Sequence, residues 1–61
     1  MAEILGTQTL NGLVILEVDS DPSLVLGTPA PIGSIASVND GSGLYLKTSA
    51  PDTGWVKVVT L

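Results

Sequence analysis

From Ser34 onward the chain admits only one kind of local structure. Three runs, "SIASV" (34–38), "LYLKT" (44–48) and "WVKVVTL" (55–61), set apolar residues in strand-like runs, and "NDGSG" (39–43) and "SAPDTG" (49–54) separate them. A period of two puts successive side chains on opposite faces of a strand, while Asn, Asp, Gly and Pro supply the backbone geometry that turns need. Three strands with two short connections predict an antiparallel meander. Good helix formers nowhere gather with a 3.6-residue period, and Met1 to Leu5 is too short to hold a helix. The expected fold class is all-β: a small antiparallel β-meander, sandwich or barrel with an extended N-terminal segment, completed by oligomerisation.

The N-terminal half is less regular. "TLNGLVILEV" (9–18) contains Asn11-Gly12, the dipeptide favoured in two-residue type I′ hairpins because both turn residues take positive φ. If the chain turns there, Ile4 to Leu10 pairs with Leu13 to Val18. If it does not, Leu13 to Val18 is still a strand, and its nearly unbroken apolar character suggests cover on both faces. "DSDPS" (19–23) reads as a turn, and "TPAPIG" (28–33), with Pro29 and Pro31, as an extended arm or a crossing between sheets. The chain is one small β domain, 1–61, with N-terminal strands or arm (1–27), a Pro-rich crossing (28–33) and the meander (34–61).

Both aromatic residues and both lysines fall in "GLYLKTSAPDTGWVKV", each lysine two places after an aromatic. With a period of two, Tyr45 and Lys47 share a face, as do Trp55, Lys57 and Val59; Leu44 and Leu46 point the other way, as do Val56, Val58 and Thr60. The aliphatic face of Leu44, Leu46, Val56 and Val58 is expected to be the buried one. The aromatic face is then the outer or rim side, its lysine stems lying over the rings and its ammonium groups in water. The sharper alternative is a carbohydrate or peptide platform on Tyr45 and Trp55.

Size turns this pattern into a statement about partners. A 61-residue chain buries only about 60% of its unfolded surface, and ordering each residue costs roughly 1.5 kcal/mol. With no cysteine there is no disulfide to help, and with no histidine either, only scattered carboxylates remain as metal ligands. Yet 44% of residues are hydrophobic and the mean hydropathy is +0.51. So much small aliphatic surface on so small a body points to homo-oligomerisation or docking on a larger assembly.

Other functions find little footing. A net charge of −4 with two basic residues argues against nucleic acid and against anionic membranes. "LVIL" (13–16) is far too short to span a bilayer, and Met1-Ala2-Glu3 lacks the basic start of a signal peptide. Asp19 and Asp21 begin like a calcium loop, but its distal glutamate is missing, so a solvated turn is the better reading. "DGSG" precedes no helix and is no phosphate cradle. Without histidine no ordinary catalytic triad can be built; a Ser–Lys pair is all the side chains could assemble. No enzyme, cofactor or metal is expected.

Residues 30 to 59 carry a likeness. Pro31-Ile32-Gly33-Ser34, then Gly43-Leu44-Tyr45-Leu46-Lys47, then Thr53-Gly54-Trp55-Val56-Lys57-Val58 resemble a segment that recurs in virion structural proteins of tailed bacteriophages. The likeness covers about half the chain and implies no catalytic residues. It implies a capsid decoration or cement protein, made in the host cytoplasm, placed on the capsid surface and associating by β-strand contacts, with a trimer favoured. Its partners would be the major capsid protein or another virion protein. The alternatives are a head-fibre or tail-fibre module gripping host glycans and a non-viral β-rich assembly factor. The interface and packing candidates are Leu13, Val14, Ile15, Leu16, Tyr45, Trp55, Val56 and Val58. Ile4 to Val18 is expected to face the capsid or a neighbouring subunit, and the Pro-rich arm to cross to a neighbour.

Overall fold

A computed structural model describes residues 3–24 and 26–58. Five strands follow in chain order: β1 (Ile4–Leu10), β2 (Leu13–Val18), β3 (Ile35–Val38), β4 (Leu44–Lys47) and β5 (Trp55–Lys57). They form one sheet in the order β1-β2-β3-β4-β5. No helix is present among the described residues. The strand continuation expected at Val59 to Leu61 lies outside them.

β1 and β2 are an antiparallel hairpin around Asn11 (φ 49°) and Gly12 (φ 82°), the positive-φ pair that a type I′ turn requires. β3, β4 and β5 are the antiparallel meander. The join between these halves departs from expectation. β2 and β3 run parallel, Ile15 beside Ile35 and Val18 beside Val38, so the sheet is mixed and open, neither a purely antiparallel meander nor a closed barrel. Parallel neighbours need a long crossover, and residues 19–34 provide it.

That crossover decides which face is inside. It passes over the side of the sheet carrying Leu16, Val18, Ala36, Val38, Tyr45 and Trp55, which form the core, and Ala30 packs against them. Pro22, Thr28 and Ser34 are themselves buried within it. Among the hydrogen bonds that hold it down are Thr28 N–H to Asp52 O (2.8 Å), Gly33 N–H to Lys47 O (2.8 Å), Lys47 N–H to Ser34 O (2.9 Å) and Trp55 Nε1 to Thr28 O (3.0 Å). Gly27 lies so close to the β4–β5 turn that a Cβ there would overlap the Asp52 carbonyl, and its φ of 59° suits glycine besides. The Pro-rich segment therefore folds over its own sheet.

The face assignment of the meander is consequently reversed. The aromatic face is buried, and Leu44, Leu46, Val56 and Val58 are exposed. The two rings are the bulkiest apolar groups available, and they fill the wedge under the crossover that short aliphatics would leave partly empty. Leu13 to Val18 likewise has cover on one face only, since Leu13 and Ile15 are open to solvent.

Candidate interaction surface

The repeated aromatic-x-lysine phrase works through register. β4 and β5 pair Tyr45 with Lys57 and Lys47 with Trp55, so each aromatic stands across from a lysine on the covered face. Ala36 faces Tyr45 from β3, a small residue giving room to a ring. Lys47 is only 1% exposed. Its ammonium, expected in water, instead donates to Ala30 O (2.9 Å) and Ala50 O (3.3 Å) and lies 6.0 Å from the Trp55 ring centroid. It thus clasps the crossover and the β4–β5 turn to the sheet, exchanging water for charge-assisted hydrogen bonds. Trp55 is 5% and Tyr45 8% exposed, so neither ring offers a stacking face to a sugar.

At the rim of this face the Tyr45 hydroxyl meets Asp21. Burial, then the Asp21 carboxylate, raises the Tyr45 pKa above its ordinary value. Burial also pushes the Asp21 carboxyl upward, but hydrogen bonds from the Ser23 hydroxyl (2.6 Å) and amide (2.8 Å), with help from Tyr45 and Lys57, outweigh it and leave that pKa lowered. Asp21 thereby closes the turn after β2. Asp19 accepts from Glu3 N–H (2.8 Å) and the Ser20 hydroxyl (3.0 Å), tying down the start of β1. Among the described residues no three His, Cys, Asp or Glu side chains come together.

The opposite face is the candidate site. Ile15, Ile35, Leu46 and Val56 stand directly across from one another on β2, β3, β4 and β5, a continuous aliphatic row running across the sheet. All four are exposed, from 38% at Ile35 to 54% at Val56. Leu13 and Leu10 extend the row on one side, and Leu44 and Val58 on the other, where Val58 N–H to Leu44 O (2.7 Å) continues the pairing beyond β5. Eight aliphatic side chains at about half exposure make a patch on the order of 600 Å², at the upper end of what an ordinary monomer shows. Glu17, beside Gly6 and Ser37, is the charged group of this face.

The eight expected residues divide between the two sides. Leu16, Tyr45 and Trp55 belong to the core and Val14 packs against it, while Leu13, Ile15, Val56 and Val58 lie on the open face. Leu10, Ile35, Leu44 and Leu46 are not among the interface candidates, yet they complete the patch. The signal for Ile35 was its place between Ser34 and Ala36, since an alternating strand with small residues on one side must put its bulk on the other. What this face offers is contiguous, solvent-exposed aliphatic area. The chain matches no family model, no curated protein and no solved structure.

Proposed function

We propose that this chain is a non-catalytic structural component of a bacteriophage particle, a capsid decoration or cement protein that self-associates and adheres to the capsid surface. The observation that supports this reading is the aliphatic row Ile15–Ile35–Leu46–Val56, left open on a chain whose other face is already covered. Burying a patch on the order of 600 Å² at about 25 cal/mol per Å² yields a gross gain near 15 kcal/mol, of the same order as the roughly 4–15 kcal/mol lost on association. Spread over many copies across capsid seams, such contacts would oppose the outward pressure of packaged DNA. The resemblance of residues 30 to 59 supplies the particle, the capsid protein as partner and the trimer; the physics supplies only the adhesion. The glycan-gripping alternative loses its support with the burial of Tyr45 and Trp55.

The test is direct. Gradient-purified particles from the producing culture are digested and searched by mass spectrometry for peptides of this chain, and particles with and without it are heated while DNA release is followed. The reading expects the chain at many copies per particle and DNA release at lower temperature without it. Its absence from purified particles would overturn the reading.

A further inference from the structure

The sheet has two edges of unlike character. β5, at one edge, is three residues long and carries Lys57. β1, at the other, is the longest strand of the sheet at seven residues, with no charge and no proline. Soluble proteins usually protect an edge with brevity, charge, proline or a covering segment, and among the described residues β1 has none of these apart from a bulge between Ile4 and Gly6. Thr7 to Leu10 is regular strand, and all four residues are exposed.

Register says which backbone groups point outward. Leu10 and Leu13 flank the two-residue turn and exchange both hydrogen bonds, so Thr9 and Val14 form the next, non-bonded pair. In agreement, Val14 N–H turns away from β1 and donates to the Ser34 hydroxyl. By the same alternation Thr7 and Thr9 direct their N–H and C=O groups away from β2, at the open edge.

The geometry points to a second copy of this chain as the strand that pairs there, β1 against β1 antiparallel about a twofold axis through Gln8. In this register Thr7 of each copy exchanges two hydrogen bonds with Thr9 of the other, four in all, clear of both bulge and turn. Gln8 meets its own counterpart. Leu10 stands opposite the other copy's Gly6, where a Cβ would touch nothing but Glu17 Oε1 at 3.9 Å, so the bulky residue meets a vacancy. The uncharged edge lets copies of net charge −4 approach without a local like-charge clash. The pairing joins two five-stranded sheets into one of ten, with the two aliphatic faces continuous on the same side. It gives the self-association of the proposed function a place and a twofold symmetry where the resemblance implies a threefold one. It uses the edge and not the face, so either can fail alone.

The chain has no cysteine, which makes a cross-linking test clean. A non-bonded antiparallel pair has its Cα atoms about 4.5 Å apart, within disulfide reach. Gln8→Cys is therefore expected to oxidise to a covalent dimer at least ~100-fold faster than the exposed turn variant Ser42→Cys, the ratio of a millimolar effective concentration to a ten-micromolar sample. Native mass of the unmodified chain should be that of a dimer. Gln8→Lys and Gln8→Glu should each be monomers and should form a one-to-one heterodimer when mixed. A monomeric or trimeric parent, equal oxidation of Gln8→Cys and Ser42→Cys, or preferential cross-linking of Ile15→Cys on the aliphatic face would each overturn the edge pairing. Loss of particle binding with the dimer intact would count against the virion reading alone.

Discussion

Lys47 shows how one side chain can be located without being understood. Alternation puts it on one face with Tyr45, and that is legible in "LYLKT"; its destination is not, because the carbonyls it meets, Ala30 and Ala50, come from segments with no periodicity. Charge-assisted hydrogen bonds contribute about 1.5–3 kcal/mol each way, so Lys47→Met, similar in length but without the ammonium, should lower unfolding free energy by about 2 kcal/mol in urea titration. Asp21 offers a pH test. Its folded pKa lies below its unfolded value, near 3.9, so the stabilisation is present above that value and lost as pH falls through the folded pKa. Thermal melts from pH 5 down to pH 2 should show a decline that is shallower in Asp21→Asn, which also starts from a lower melting temperature.

Among the elements, the strands were easier to read than their order. Asn11-Gly12, "NDGSG" (39–43) and "SAPDTG" (49–54) mark the turns by local chemistry, and short connections force antiparallel neighbours. Residues 19–34 carry no such constraint. Nothing in this non-periodic run of Asp, Pro, small residues and a few aliphatics says that it will bring β3 alongside β2 in parallel, and every error about which face is buried descends from that gap. Gly27 tests whether the crossover is fastened where it comes closest to the sheet. Gly27→Ala places a methyl group against the Asp52 backbone at positive φ, whereas Gly41→Ala, also at positive φ (79°), meets open space. Gly41→Ala should cost about 1 kcal/mol, the penalty of the left-handed conformation alone. Gly27→Ala should cost clearly more, seen by scanning calorimetry as a melting point lower by roughly 4–8 °C for each additional kcal/mol.

At the scale of the whole molecule, the core is six residues and the open aliphatic face is larger. Substitutions on that face should separate folding from adhesion. Leu46→Lys removes apolar surface already about 39% exposed, so its unfolding free energy should change by no more than about 1 kcal/mol, while its retention on particles should be lost. Hydrophobic-dye binding by the parent chain, reduced in the variant, is the simplest check. That too little of this chain's apolar surface can be hidden within itself was visible in composition; the particular side that stays open was not, because it follows from where the crossover lies.

The parallel join between β2 and β3 also sets the order of events during synthesis. Residues twenty apart, Ile15 and Ile35, must meet at the centre of the sheet. The β1–β2 hairpin leaves the ribosome before β3 and pairs with no third strand until β3 arrives, so the nascent hairpin passes through a stage without its β3 neighbour. Closing such a loop before any contact rewards it makes for slow maturation, and a chain truncated before Ser34 should be fit only for proteases.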